Sequence, residues 1–252
     1  MKRTIIINPK WKSWNDFLVS LPERMDKEGE YVYGGERNLI KNFTTPDGTT
    51  IVVKRFHRPR CINKFVYSWG LRQPKGVRAF HYATLLRSRH VETPEAVAYI
   101  EERHHTILHE SYLITLHCPY PHLLYEMADA TPDVYRPMAK ALASFTAHMH
   151  DAQILHRDYS PGNILWKQDD DGNYHFAVVD INRMHFGHVS MARGCSNFAR
   201  LWGPKEFIIL TVRAYAEIRG FDPDTAESIV LRARRKFWTK RKQHQVKFTI
   251  DL

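Results

Sequence analysis

The stretch of sequence that most restricts the fold of this chain is 156–165, which reads H-R-D-Y-S-P-G-N-I-L. It places Asp158 and Asn163 on a segment whose internal Pro-Gly pair predicts a loop, and the loop runs into a short apolar strand. A second apolar, β-branched segment ends directly at Asp180. The pattern therefore predicts two strands and a loop that carry three side chains with hard oxygen atoms, the ligand type that Mg²⁺ prefers.

Transfer of a phosphoryl group from ATP requires such a set of groups. One carboxylate orients the attacking hydroxyl and accepts its proton, while an amide oxygen and a second carboxylate hold magnesium on the phosphates. Taken singly, Asp and Asn are also common in turns and helix caps. Their joint spacing is what favours phosphoryl transfer.

On these residues the chain resembles the protein-kinase-like superfamily, whose catalytic loop reads H-R-D-x-x-x-x-N and is followed by a metal-binding Asp. Within that superfamily it most resembles the lipopolysaccharide kinase family, the Kdo and heptose kinases of the bacterial envelope. The resemblance spans about residues 31–215. Besides the catalytic loop, the narrower resemblance rests on T-P-E-A at 93–96, V-D-I-N-R-M at 179–184 and N-F-A-R-L-W at 197–202.

The resemblance implies a role for each matching residue of the second half. Asp158 matches the catalytic base, and Asn163 and Asp180 match the two ligands of Mg²⁺. The implied reaction is ATP-dependent phosphorylation of a sugar hydroxyl of the lipopolysaccharide core, on Kdo or heptose. The expected partners are therefore ATP and a lipopolysaccharide or other glycolipid acceptor.

For the binding of ATP, the resemblance points to the first half. Lys54 matches the strand lysine that holds the α and β phosphates, and Gly34 and Gly35 lie where a turn should cover them. Lys54 is equally typical of a solvated lysine at the edge of a strand, and Gly34-Gly35 is equally typical of an ordinary turn. The helix predicted at 75–89 should offer Lys54 a glutamate but contains none, and His81 occupies the expected position.

Departures from conventional protein kinases favour a small-molecule or glycolipid acceptor. Ile181 and Asn182 replace the Phe-Gly that usually follows the metal-binding Asp, and Ser160 stands where protein kinases commonly have a lysine. A small-molecule or protein kinase of the same fold stays as one alternative. A nucleotide-binding pseudokinase scaffold is the other, although the intact catalytic set argues against it.

The predicted fold class is α+β, a bilobal protein-kinase-like chain. Residues 1–117 should form a small antiparallel β N-lobe with one helix, and 118–252 a mainly helical C-lobe that includes the catalytic loop and a basic C-terminal segment. Within the first lobe, T-P-D-G at 45–48 predicts a hairpin turn. Within the second, 134–151 carries apolar residues at helical spacing, and 197–220 should be helical with a break at Gly-Pro.

Composition matters chiefly through charge. Lys plus Arg number 37 against 27 for Asp plus Glu, a formal net charge of +10, which favours anionic partners. Eight of these cations and no acid lie in 232–247, a segment that fits either a solvated helix face or docking to an anionic membrane surface. Arg183, Arg193 and Arg200 fit either an anionic acceptor or ordinary salt bridges. No motif supports nucleic-acid binding, and we expect none.

The cellular compartment follows from what the sequence lacks. The three cysteines, Cys61, Cys118 and Cys195, form neither a disulfide framework nor a zinc motif, which favours a reducing compartment. The isoleucine run near the start is shorter than the apolar core of a secretory signal, and no stretch approaches the ~20 apolar residues of a membrane-spanning helix. We expect a cytoplasmic protein, with peripheral attachment at the inner face of the cytoplasmic membrane as a further hypothesis.

Overall fold

The computed structural model describes residues 2–35, 38–57 and 73–239, and the chain divides into two compact units. The first unit holds the chain up to Ser88 together with Thr93–Cys118, and the second holds Arg89–Glu92 and the chain from Pro119 onward. The segment Arg89–Glu92, which lies within the predicted first lobe, therefore belongs to the second unit.

An antiparallel sheet and two helices form the first unit. Its strands are β1 (Lys2–Ile7), β2 (Glu30–Gly34), β3 (Asn38–Thr44), β4 (Thr50–Phe56), β5 (Ala96–His104) and β6 (Ile107–Leu116), and its helices are α1 (Asn15–Arg24) and α2 (Lys75–Ser88). The strand order is β1-β5-β6-β4-β3-β2. The β-rich lobe and the helix α2 were predicted from the sequence, whereas β1 and α1 were not.

The hairpin of β3 and β4 follows from its turn residues. Gly48 has a φ of +85°, a left-handed conformation that glycine adopts without steric cost. The carboxylate of Asp47 accepts a hydrogen bond from the backbone N–H of Thr49 (3.2 Å), as turn aspartates commonly do. The resulting register places Lys54 of β4 opposite Ile40 of β3. On the other side of β4, Lys54 lies opposite Leu113 of β6.

The core of the first unit combines α1 with residues of the sheet. Leu18 and Leu21 of α1 are fully buried and lie on one face of the helix, because residues three apart are neighbours there. Val53, two residues after Ile51, points to the same face of β4. The core cluster comprises Trp14, Leu18, Leu21, Met25, Phe43, Ile51, Val53, Val97, Ala98, Ile100, Tyr112 and Ile114.

Helix α2 contacts β5 and β6. Its buried residues include Phe80, Ala83 and Leu86, the three that the helical spacing predicts. Gly76 allows the close approach to the sheet, since a Cβ atom at this position would lie 2.5 Å from the ring of the buried Tyr99.

The second unit is mainly helical. Its helices are α3 (Pro132–Asp151), α4 (Met191–Asn197), α5 (Lys205–Ile218) and α6 (Pro223–Trp238), and its strands are β7 (His122–Leu123), β8 (Ile154–His156), β9 (Ile164–Gln168), β10 (Tyr174–Val178) and β11 (Met184–Phe186). Strands β10, β9 and β7 form one antiparallel sheet, and β11 pairs with β8. Helix α5 packs against α3, and α6 packs against α4 and α5. This combination of an antiparallel sheet and a helical part confirms the predicted fold class.

Two helix predictions in the second unit have different outcomes. The helix predicted at 134–151 is α3, which begins at Pro132, a residue that the first turn of a helix tolerates. The continuous helix predicted from 197 to the Gly-Pro break is wrong, because Phe198–Arg200 is a 3₁₀ turn and α5 begins only at Lys205. None of the helices in the described ranges is long and apolar enough to cross a membrane.

Candidate functional site

Asp158 lies in the loop between β8 and β9, and the loop is closed by its own backbone. The N–H of Ser160 donates to the carbonyl of Asp158 (2.8 Å), and the N–H of Asn163 donates to the carbonyl of Ser160 (2.9 Å). The side-chain Nδ2 of Asn163 also donates to the carbonyl of Asp158 (2.9 Å). Since Nδ2 is engaged in this way, Oδ1 is the atom that Asn163 offers to a cation.

A buried histidine ties this loop to the residue before Asp180. His156 is fully buried; its Nδ1 accepts from the backbone N–H of Asp158 (3.1 Å), and its Nε2 contacts the carbonyl of Val179 (2.9 Å). Acceptance at Nδ1 assigns the proton to Nε2, which therefore donates to that carbonyl. Burial lowers the pKa of His156, so the imidazole stays neutral with both nitrogens satisfied.

Asp180 follows β10 and adopts a left-handed conformation, with φ +54° and ψ +44°. Few non-glycine residues adopt this region, and aspartate is among those that do. The N–H of Val179 donates to the carbonyl of Asn163 (3.0 Å), so the chain enters Asp180 beside the end of the catalytic loop. The Nδ2 of Asn182 donates to Oδ1 of Asp180 (2.7 Å).

These residues fit a hard divalent cation. The Asp180 carboxylate and the amide oxygen of Asn163 are the ligand types that Mg²⁺ takes from proteins, usually only one or two groups alongside waters. The Oδ1 of Asn182 is a buried oxygen without a hydrogen-bond partner among the described residues. Burying an oxygen without a hydrogen bond costs folding free energy. This oxygen belongs to the same amide group whose Nδ2 donates a hydrogen bond to the Asp180 carboxylate.

Two arginines hold the carboxylate of Asp158. Nη1 of Arg200 makes a hydrogen-bonded ion pair with Oδ1, and Nη1 of Arg183 lies 3.6 Å from Oδ2. Arg200 also lies over the ring of Phe237, 5.1 Å from its centre. From the sequence, both arginines fit either an anionic acceptor or ordinary salt bridges. The structure makes them ion-pair partners of Asp158, a contact between residues 42 positions apart for Arg200, which no local spacing signals.

In the first unit, Lys54 is partly buried on β4, with its ammonium 5.2 Å from the centre of the Phe56 ring. His81, in the position where a glutamate was expected, is an exposed residue of α2 whose ring makes an edge contact with Phe80 (5.4 Å between centroids). The roles assigned to Lys54 and to its partner on α2 stay predictions.

The two glycines of the expected phosphate turn lie at the end of β2. Gly34 is the last residue of that strand, and the N–H of Gly35 donates to the carbonyl of Asn38 at the start of β3 (3.0 Å). The next two residues of the turn, 36–37, lie outside the described residues. Gly34, Gly35 and Lys54 thus belong to the first unit, whereas the catalytic loop and Asp180 belong to the second.

The basic segment 232–247 is described as far as residue 239, and the remainder lies outside the described residues. Within it, Arg234 is fully buried and donates to the carbonyls of Leu201 (2.6 Å) and Gly203 (3.3 Å). The indole N–H of Trp238 donates to the carbonyl of Ala199 (3.0 Å). These hydrogen bonds fix residues 199–203, the segment that contains Arg200, the ion-pair partner of Asp158. The exposed cations of the described part are Arg232, Arg235 and Lys236.

Comparison with known proteins adds to this geometry. The model of the lipopolysaccharide kinase (Kdo/WaaP) family matches residues 23–201 of the chain. Among solved structures, the chain is similar to WaaP in complex with acyl carrier protein, with a TM-score of 0.59 and 19% identity over 94% of this chain and 100% of that chain. At this identity the solved structure shows the fold alone.

The chain is also similar to the Rio2 kinase–ADP/Mg²⁺–phosphoaspartate complex from Chaetomium thermophilum, with a TM-score of 0.47 and 14% identity over 91% of this chain and 72% of that chain. This similarity is too weak to carry an argument. No curated protein matches the chain. The family model, in contrast, covers well over half of the chain.

Proposed function

The chain belongs to the lipopolysaccharide kinase (Kdo/WaaP) family, and we propose that it transfers phosphate from ATP to a sugar hydroxyl of the lipopolysaccharide core, on Kdo or heptose. Membership of this family makes the protein a phosphotransferase, and it indicates ATP and lipopolysaccharide as the substrates and a divalent cation as the cofactor. The particular sugar, Mg²⁺ as the cation and the role of each residue are parts of the proposal.

The observation that supports the proposal best is the way Asp158 is held. Its backbone carbonyl accepts hydrogen bonds from Ser160 and Asn163, and two guanidiniums contact its carboxylate. Yet 28% of its side chain is exposed, so an acceptor hydroxyl has access to it. In the proposed reaction Asp158 orients that hydroxyl and accepts its proton while the γ-phosphoryl group passes to the oxygen and ADP leaves.

The remaining residues divide the binding of ATP and the cation. Asn163 and Asp180 are proposed to hold Mg²⁺, which when bound neutralises the charge on the phosphates. Lys54 is proposed to bind the α and β phosphates through its ammonium, and the turn that begins at Gly34 and Gly35 is proposed to lie over them. Since such transfer depends mainly on positioning and electrostatics, no covalent intermediate on the protein is required.

A transfer assay with a series of acceptors tests the proposal. Core oligosaccharides ending in Kdo or in heptose, a small alcohol, an aminoglycoside and a generic protein substrate are each incubated with labelled ATP and Mg²⁺, with EDTA as a blank. One phosphate gained by a core sugar in the mass spectrum is the expected result, and the fragment ions identify the sugar.

Two other results would contradict the proposal. Label found on the small alcohol, the aminoglycoside or the protein, and not on a core sugar, would make the chain a kinase of another substrate class. A thermal shift with MgATP but no transfer to any acceptor would identify a nucleotide-binding pseudokinase scaffold.

We place the enzyme in the cytoplasm, peripheral to the inner face of the cytoplasmic membrane, with 232–247 docking to anionic lipid. The exposed Arg232, Arg235 and Lys236 support this, because each cation near an anionic surface contributes about 1 kcal/mol of attraction. Co-sedimentation should be stronger with phosphatidylglycerol vesicles than with phosphatidylcholine vesicles, and should weaken when these three residues are replaced by glutamine. Equal sedimentation with both lipids would remove the docking role.

A further inference from the structure

Four arginines surround the catalytic loop, and they are not equally neutralised. Arg183 and Arg200 share the carboxylate of Asp158. Arg157 and Arg193 are exposed, and within the described part of the chain neither has a carboxylate partner; their polar contact is with His185. This second pair therefore carries positive charge that the described residues leave uncompensated.

The contacts of His185 cannot both be hydrogen bonds. Nη2 of Arg157 lies 3.4 Å from Nδ1 of His185, and Nη1 of Arg193 lies 3.0 Å from its Nε2. A guanidinium only donates, and a neutral imidazole accepts at one nitrogen and donates at the other. Because the Arg193 contact is the shorter, Nε2 is the acceptor, and the Nδ1–H of His185 then faces the N–H groups of Arg157.

Protonation of the histidine does not relieve this conflict. Partial burial and the charges of Arg193 and Arg157 lower the pKa of His185, and an imidazolium would turn both contacts into donor facing donor. Among the described residues, Nε2 of His185 is the one protein acceptor for the N–H groups of this cluster, and water supplies the rest. An oxyanion fits in place of that water, since its oxygens accept several hydrogen bonds and guanidinium pairs with it in a two-pronged geometry.

The fold sets this cluster next to the proposed catalytic base. His185 on β11 pairs with Leu155 on β8, and Arg157 directly precedes Asp158 in the loop that follows β8. Arg193 lies in the first turn of α4. The catalytic loop, β11 and α4 therefore each contribute one residue to the cluster, and Arg157 joins the cluster directly to Asp158.

We propose that Arg157, His185 and Arg193 form a binding site for an oxyanion, a phosphate monoester or a carboxylate, and that the acceptor carries this group beside the hydroxyl that reaches Asp158. The oxyanion site rests on the geometry of the second unit. Its assignment to the acceptor rests on the proposed function.

The first experiment tests the oxyanion site without using activity. Inorganic phosphate is titrated at low ionic strength into the full-length protein and into three variants, Arg157→Gln, Arg193→Gln and Arg136→Gln, with ³¹P NMR as the readout. Arg136 is the matched control, an exposed arginine of the same unit that pairs with Glu206.

We expect saturable binding to the wild type and to Arg136→Gln. Binding to Arg157→Gln and Arg193→Gln should be about tenfold weaker, the expected effect of losing one charge-assisted hydrogen bond. Absent binding to the wild type, or equal affinity in the wild type and in Arg193→Gln, would overturn the site.

The second experiment assigns the anion to its source. At saturating MgATP, and with whichever acceptor is phosphorylated, inorganic phosphate should raise the KM for the acceptor without lowering kcat, and Arg193→Gln should raise that KM about tenfold. Phosphate that binds but leaves the KM unchanged would show that free phosphate, not the acceptor, uses the site. If no acceptor is phosphorylated, the proposed function fails while the titration still decides the oxyanion site.

Discussion

The catalytic loop of the second unit and the glycine turn of the first differ in how firmly the protein holds them. In the loop, Asp158 and Asn163 are fixed by hydrogen bonds and by the fully buried His156. The turn follows β2, whose five residues are all exposed, with Tyr31 at 64% and Tyr33 at 56%. Preorganised groups lose more function when they are changed, so substitutions in the loop should affect the rate far more than substitutions in the turn.

The largest effect is expected for Asp158→Asn. This substitution keeps the shape of the side chain and removes the oxygen that accepts the proton, so kcat for transfer to the core sugar should fall about 10³-fold. The unfolding midpoint should change little, because the carboxylate is partly exposed. Steady-state kinetics and thermal unfolding on the same preparation measure both.

Asp151→Asn is the matched control for this prediction. Asp151, an exposed aspartate of the second unit, is likewise paired with an arginine, through Nε of Arg219 at 2.8 Å. It should keep wild-type kcat. Near-normal turnover of Asp158→Asn would show that the second unit does not supply the base.

The next effect lies in the first unit, at Lys54→Gln. Loss of one charged hydrogen-bond donor to the phosphates should lower kcat/KM for ATP by about 10- to 100-fold, and kcat for the acceptor should fall less than in Asp158→Asn. Lys41→Gln on the neighbouring strand is the control, since the Lys41 ammonium donates to the carbonyl of Glu28 (2.7 Å). Equal kinetics of the two variants would remove Lys54 from the nucleotide site.

The comparison also explains what the sequence could predict. The loop and Asp180 are specified by consecutive residues, so the sequence predicts their local structure, a loop followed by two strands. The T-P-D-G turn and the buried face of α2 are local in the same sense. Gly34 and Gly35 carry a weaker signal, because any turn can contain them.

Long-range partners are the part that the sequence does not specify. Strand β1 pairs with β5, and its Arg3 bonds to Glu102, 99 positions away. Helix α1 contains Pro22, a residue that argues against a helix interior. Arg183 and Arg200 likewise reach Asp158 through tertiary packing. In the sequence alone they look the same as other surface arginines.

A third effect concerns stability and falls on the second unit. Both histidines that are fully buried among the described residues, His150 and His156, belong to it. Burial, together with the charges of Arg219 and Arg193, lowers the pKa of His150 to about 3. Below the unfolded value of about 6.5 the unfolded chain binds a proton that the folded histidine does not, so the free energy of unfolding falls as the pH falls from about 6.5 toward 3.

The expected slope from one such histidine is about 1.4 kcal/mol per pH unit. Urea unfolding at several pH values below 6.5 should show a shallower slope in His150→Gln, by one proton, than in the wild type. His148→Gln is the control, because His148 is exposed on the same helix. If His150→Gln retains the wild-type slope, the acid sensitivity comes from other groups.

The smallest effect is expected for Gly34→Ala in the turn. Gly34 is not among the glycines with positive φ, and an added Cβ would meet the ring of Tyr31 at 2.9 Å, which is exposed and free to turn aside. The KM for ATP should therefore change by about twofold or less, as for other surface substitutions.

Gly76→Ala in the same unit is the contrasting control. Its Cβ would press on the buried ring of Tyr99 at 2.5 Å, and the free energy of unfolding should fall by about 1–3 kcal/mol. A large rise in the KM of Gly34→Ala, with unchanged stability, would mean that the turn is as closely fitted to its ligand as the catalytic loop is, and the contrast between the two regions would disappear.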